Sequence, residues 1–318
     1  MPEYGFALMG EEHPPERLVE MAVQAEAAGF DFAMLSDHYQ PWTRVQGHGS
    51  NVWPVLGSVA RATERITVGT AVVCPTMREH PALVAQAAAT TARLLPGRFL
   101  LGLGSGGMLN EHITGAPWPP AGVRLEMLDE AVVLIRQLWE GKLVSHHGRH
   151  FTAVDAQLWG LPDAPPPVLI AASGVRAARL AGTRGDGLIA TVPDHRLVDT
   201  FRAARGTDAP AYGWISVCWG LHPDDALATA HHHWPIAGLS GDLFQELRLP
   251  RHVEAATRHV RPQDIAEALV TGPDAGAYTA RIHAFLNAGF THVWLHQIGP
   301  DQEGFLKFWQ EEVRPCLP

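Results

Sequence analysis

Residues 66–104 contain three runs in succession: ITVGTAVV (66–73), HPALVAQAAATTARLL (80–95) and RFLLGLG (98–104). The outer two are apolar and of strand length, while the middle one spaces its apolar residues as one face of a helix requires. A strand, a helix and a second strand in line form a βα unit, and its strands lie parallel because the helix carries the chain back.

Working outward, the same unit recurs. Upstream, the short strand Tyr4–Met9 precedes ERLVEMAVQAEAAG (16–29), and DFAMLS (31–36) precedes the helix NVWPVLGSVARATE (51–64). Downstream, 98–104 leads to VRLEMLDEAVVLIRQLWEG (123–141), PVLIAA (167–172) to GVRAARLAGTRG (174–185), and GLIATV (187–192) to a helix over 194–205. The strands AYGWISVCWG (211–220) and THVWLHQIG (291–299) follow, the latter with DQEGFLKFWQEEV (301–313) behind it. Eight strands fit a single (β/α)8 barrel, of TIM-barrel type, over 1–318 better than a doubly wound sheet of about six. Two stretches break the rhythm and read as insertions at the mouth or rim: 142–166, which alternates like a small hairpin before LPDAPPP, and the long polar helical stretch 222–288.

Composition narrows the function. With 46% hydrophobic and 18% charged residues the chain is that of a soluble globular protein. No apolar run approaches the roughly 18 residues of a membrane span, and the N-terminal stretch lacks a signal-peptide pattern, so a cytoplasmic location is expected. A net charge of −9, and two lysines (Lys142, Lys307) among the 24 basic residues, leave no cationic run to displace phosphate counterions, so nucleic acid is not an expected partner. Cys74, Cys218 and Cys316 show no CxxC spacing and read as buried small hydrophobes. His231–His233 is a histidine run without the carboxylate pattern that would complete a metal site, and no metal is expected.

In a barrel of this kind the chemistry sits where strands end. Strand one ends near Glu11, strand two in Ser36-Asp37-His38 with Trp42 beyond, and strand three in Cys74-Pro75-Thr76. Strand four ends in Gly104–Gly107 and runs on to Asn110-Glu111, strand five in Ala172-Ser173-Gly174, strand six in Thr191, and strand eight in His296-Gln297. An imidazole at such a position suits proton transfer near neutral pH. The glycine turn lets backbone amides approach a flat ring or a phosphate, and Gly174 opens a helix whose first amides can bind an anion. Together they suggest a ligand with a planar part and a phosphate. No Gly-x-Ser-x-Gly or Ser-His-Asp hydrolase pattern is legible, and Asp37 with Glu111 matches no recognisable glycosidase motif.

At these residues the chain resembles the luciferase-like flavin and deazaflavin barrels, and within them the F420-dependent glucose-6-phosphate dehydrogenase group. The likeness rests on SDHYQPW (36–42), QGHG (46–49), GTAVVCPTMREHPALVAQAAAT (69–90), LPGRFLLGLGSGGMLNE (95–111), IRQLWEG (135–141), VLIAASG (168–174) and AGTRGDGLIAT (181–191). It implies coenzyme F420 as cofactor, with FMN the alternative, and a homodimer acting on a small molecule. His38 would be the general base and Trp42 would pack on the reaction centre. Asp37, Ser105, Gly106, Gly107, Asn110 and Thr191 would line the cofactor, with Ala71 and Val72 joined by a cis peptide behind its ring and Ala172, Ser173 and Gly174 around its phosphate.

The departures are as informative. The glucose-6-phosphate enzymes carry a glutamate where this chain has Gly107, so Glu11 is a candidate replacement acid. Of three cationic positions that hold the sugar phosphate, one is Asp194 here, another falls near Ala266-Glu267, and only Arg281 matches. Carboxylates in place of cations repel a phosphate, so a non-phosphorylated alcohol, carbonyl or activated double bond is expected instead. Trp53, Trp219, Trp294 and His296 are the candidates to line its site beside Arg281. An FMN-dependent monooxygenase and a non-catalytic cofactor-binding barrel are the competing readings.

Overall fold

The computed structural model describes residues 1–239, 241 and 243–318. The chain opens with β1 (Glu3–Leu8), α1 (Pro15–Ala27), β2 (Phe32–Leu35), α2 (Val52–Ala62), β3 (Thr67–Thr70), α3 (Pro81–Leu94) and β4 (Phe99–Leu103). A short α4 (Met108–Glu111) precedes α5 (Ala121–Leu138), then β5 (Val144–His147) and β6 (Thr152–Ala156). Next come β7 (Val168–Ala171), α6 (Val175–Arg184), β8 (Gly187–Ala190), α7 (His195–Arg205) and β9 (Ala211–Cys218). The last part runs through α8 (Pro223–His233), α9 (Pro250–Thr257), α10 (Pro262–Ala268), β10 (Val270–Thr271), α11 (Ala275–Asn287), β11 (His292–Gln297) and α12 (Gln302–Phe308). Strands β1, β2, β3, β4, β7, β8, β9 and β11 pair in parallel and close into a ring, β11 returning to β1. This is the expected eight-stranded α/β barrel.

Strand alternation divides the core in two. Along β1, Tyr4, Phe6 and Leu8 face the surrounding helices, whereas Ala7 faces the interior. The interior is filled by Phe32, Met34, Leu100, Leu169, Ile189, Tyr212 and Trp294. Phe32 makes the aromatic layer, with ring centroids 5.7 Å from Tyr212 and 6.4 Å from Trp294.

Both interruptions need correction. The 142–166 segment is an antiparallel hairpin, β5 with β6, laid along the flank of α5 and not at the mouth. There Glu130 accepts hydrogen bonds from the backbone N–H groups of Arg149, His150 and Phe151 and from the His146 ring. The 222–288 stretch is only partly an insertion, because α11 is a barrel helix whose Tyr278, Ile282 and Phe285 are fully buried against the strands. The true excursion is α8 to β10, and it lies over the barrel mouth. Ser240 and Asp242, within it, lie outside the described residues.

Candidate active site

Two hollows open at the C-terminal ends of the strands and share Trp42, Thr191 and Phe244. The first, a cleft of about 280 Å³, brings together most residues expected around a cofactor: Asp37, Ala71, Val72, Ser105, Gly106, Gly107, Asn110, Ala172, Ser173 and Thr191, with His38 among them. The Ala71–Val72 peptide is cis. Glycine is required at 104 by close approach, since a Cβ there would lie 2.5 Å from Val72 Cγ2. Gly106 adopts a φ of 89°, in the left-handed region. At the far end Gly174 caps α6 without any side-chain hydrogen bond, so the first amides of the helix face outward beside Ser173. The buried Asp37 Oδ1 has no partner among the described residues. A bare backbone wall, a free carboxylate oxygen and open helix amides fit a flat ring that carries hydrogen-bond donors and an anionic tail.

His38 stands at one side of this cleft, its side chain 15% exposed. Asn110 Oδ1 accepts from the backbone N–H groups of Tyr39 (2.9 Å) and Gln40 (3.1 Å), which fixes the amide so that Nδ2 meets His38 Nδ1 at 3.2 Å. The Gln40 carbonyl lies 3.1 Å from the same nitrogen. Nδ1 thus faces one donor and one acceptor, of which a given tautomer uses only one, and Nε2 has no hydrogen-bond partner among the described residues. Trp42 packs on the imidazole with centroids 5.1 Å apart, and its backbone is tied down by the Gln46 side chain. Glu11 does not face the cleft. Its carboxylate is buried behind His38, one oxygen accepting from Ser36 Oγ at 2.5 Å and the other lying 3.8 Å from His38 Nε2.

Below the glycine turn, Arg78 joins two buried carboxylates. Its guanidinium bonds Asp37, its backbone N–H donates to Glu111 Oε2 at 2.9 Å, and its Nε lies 3.8 Å from Glu111 Oε1. One cation does not compensate two buried anions. Burial pushes the Glu111 carboxyl up to about 7 against the pull of Arg78, and burial likewise raises Asp37. Sequence reasoning missed Arg78 altogether.

The second hollow, of about 350 Å³, adjoins the first and is lined by Trp42, Trp214, Trp234, Ile236, Phe244 and Leu269, with Thr191, Ser216 and Arg281 as polar members. Of the five residues expected to line a substrate, only Arg281 reaches it. Trp53 lies in the first turn of the outer helix α2, its backbone N–H donating to the Asn51 cap and its indole N–H to Glu79, and Trp219 packs on Phe308 with centroids 5.9 Å apart. Trp294 lies in the barrel's interior layer, and His296 is fully buried behind the chamber wall. Both strand positions point inward, but Trp294 lies below the hollow and His296 stands behind Ser216. Trp214 and Trp234 stand where those aromatic candidates were expected.

The model of the luciferase-like monooxygenase family matches residues 3–292. The chain belongs to this family. Among relatives of this luciferase-like protein, the F420-dependent glucose-6-phosphate dehydrogenase of Beutenbergia cavernae is 36% identical over 324 residues, covering 98% of this chain and 96% of that one. The protein of the same description from Microbacterium testaceum is 33% identical over 325 residues, covering 99% and 97%. Among solved structures, an F420-dependent secondary alcohol dehydrogenase in complex with an F420–acetone adduct superposes with a TM-score of 0.91 at 29% identity, over 100% of this chain and 99% of that one.

Of the positions compared with the cations of the glucose-6-phosphate enzymes, only Arg281 lines either hollow of this luciferase-like barrel. Asp194 caps α7 and pairs with Arg196 at 2.7 Å, which holds its carboxyl down to about 2. Ala266 and Glu267 are exposed on α10, whose end reaches the chamber through Ala268 and Leu269. Of the cysteines, only Cys218 is buried; Cys74 lines the cleft and Cys316 is exposed, which corrects the reading of all three as core residues. Among the described residues no group of three His, Cys, Asp or Glu side chains is placed to hold a metal, and no helix is long and apolar enough to cross a membrane.

Proposed function

We propose that this F420-dependent oxidoreductase moves a hydride between its deazaflavin and a small, neutral, largely apolar alcohol or the matching carbonyl compound. The observation that carries the reading is the chamber: indoles and aliphatic side chains wall it, and Arg281 is its one cation among the described residues. A phosphate dianion buried there would have a single counter-charge, and desolvating it against Trp214, Trp234 and Leu269 is costly. The secondary alcohol dehydrogenase bound to an F420–acetone adduct supports the same substrate class through its close superposition. The relatives described as glucose-6-phosphate dehydrogenases support the reaction type and the cofactor.

When bound, the deazaflavin supplies a two-electron hydride acceptor. Ala71, Val72 and the 104–107 turn would back its ring, and the amides at the start of α6 would hold its phosphate. His38 takes the hydroxyl proton of the alcohol at Nε2. Nδ1, protonated and donating to the Gln40 carbonyl, keeps the ring oriented and leaves Nε2 bare to receive that proton. Trp42, shared by cleft and chamber, covers the reacting carbon and excludes water.

The test is a comparison of secondary alcohols with glucose 6-phosphate as hydride donors, read as bleaching of the oxidised deazaflavin's visible absorption. The proposal expects turnover of neutral alcohols and little with the sugar phosphate. A higher kcat/KM for glucose 6-phosphate overturns it.

A further inference from the structure

Behind the chamber runs a polar line that proton transfer at His38 does not use. Ser216, on β9, lines the chamber and its Oγ lies 3.1 Å from His296 Nδ1. His296 Nε2 lies 3.1 Å from Glu12 Oε1, with the His296 side chain fully buried and that of Glu12 3% exposed. Trp234 meets the imidazole edge to face at 4.6 Å and Trp214 flanks it at 5.8 Å. Three polar side chains in single file beneath an apolar wall are costly unless each is satisfied.

The line has a definite polarity. Among the described residues, His296 is the single hydrogen-bond donor that reaches the Glu12 carboxylate, and a buried carboxylate requires one. Nε2 therefore carries the proton and donates to Glu12. Nδ1 is then bare and accepts the Ser216 hydroxyl hydrogen. With its hydrogen turned inward, Ser216 Oγ presents only lone pairs to the chamber, and the negative charge of Glu12 stands behind them. An anion is unwelcome at this wall, and a hydroxyl group that donates a hydrogen bond is complementary to it.

We propose that Ser216 is a specificity-determining anchor, backed by His296 and Glu12, that accepts a hydrogen bond from a second hydroxyl of the substrate, remote from the carbon that exchanges the hydride. The substrate class is then a neutral aliphatic diol or hydroxyketone. This inference rests on the reading of the chamber as the site of a neutral alcohol.

The test is calorimetric binding to the F420-loaded protein of two probes: secondary pentanol, and the pentanediol that bears one further hydroxyl at the far terminus. The wild type is expected to bind the diol about tenfold more tightly, the gain of one well-placed hydrogen bond. Ser216→Ala should abolish that preference, bringing the affinity for the diol down to that for the pentanol, and Ser216→Thr, which keeps the hydroxyl, should retain it. Equal affinity for the two probes in the wild type, or a preference that persists in Ser216→Ala, overturns the anchor and leaves the neutral-alcohol reading standing. If neither probe binds, that reading falls and the anchor with it.

Discussion

Replacing Glu111 by glutamine should stabilise the protein at neutral and alkaline pH relative to the wild type. The carboxyl is buried and titrates at about 7 in the fold, against an ordinary value of 4.5 in the unfolded chain. A carboxyl raised in this way binds its proton more readily when folded. Its contribution to stability is therefore full below pH 4.5, falls as pH rises through the window to about 7, and is level above it. At about 1.4 kcal/mol per tenfold in proton affinity, that window is worth about 3 kcal/mol. Glutamine has no such titration, and its amide oxygen can still accept from the Arg78 backbone N–H, now made at 2.9 Å. Arg78 keeps Asp37 as its partner. Equilibrium urea denaturation of both proteins, followed by tryptophan fluorescence at pH values across the window, should show the difference moving in favour of the variant by about 2–3 kcal/mol. A pH-independent difference would refute the reasoning. A shift in the opposite sense would mean that Arg78, and not burial, governs Glu111.

Two further outcomes follow from the cleft. His38→Ala should lower kcat for alcohol oxidation by about 10²–10⁴-fold while F420 binding, read by fluorescence titration, is retained; hydride transfer that survives would remove His38 from its role. Gly104→Ala and Gly107→Ala should differ sharply, because a Cβ at 104 meets Val72 Cγ2 at 2.5 Å whereas one at 107 has nothing within 4 Å. The first variant should lose cofactor affinity, thermal stability or both, and the second should leave both nearly as they are. Equal behaviour of the two would mean that the Val72 contact does not shape the cleft.

The barrel was legible because each of its eight strands is an apolar run with its own punctuation, and each pairs with a neighbour that a helix brings alongside. The misreading of 222–288 arose from its polarity. Yet Tyr278, Ile282 and Phe285 are four and three residues apart, and that spacing was the available signal that α11 belongs to the barrel and not to the excursion before it. The hairpin was visible in its alternation, but its place along α5 depends on Glu130 gathering three backbone N–H groups, which no pattern within 142–166 reveals.

The site was legible where a single strand end carries it and opaque where distant segments meet. His38, Trp42, the 104–107 turn and Ala172–Gly174 each follow a strand, and topology alone assembles them. Arg78 sits in a loop with no periodic signal, and its partners lie 41 and 33 residues away along the chain. The Ser216–His296–Glu12 line spans separations of 80 and 284 residues, so no local motif could announce it. The aromatic candidates failed for a related reason. Alternation along β11 tells that Trp294 and His296 both point inward, but it does not tell how deep each lies. The first fills the barrel floor with Phe32, the second stands one layer higher behind the chamber, and the wall itself is supplied by Trp214 on the neighbouring strand and Trp234 just past α8. Depth in a closed barrel is fixed by register between strands, here Trp294 with Trp214 and His296 with Ser216. That register puts Ser216 at the floor of the chamber with His296 beside it, which is why the polar line reaches substrate through the serine and not through the histidine that the sequence singled out.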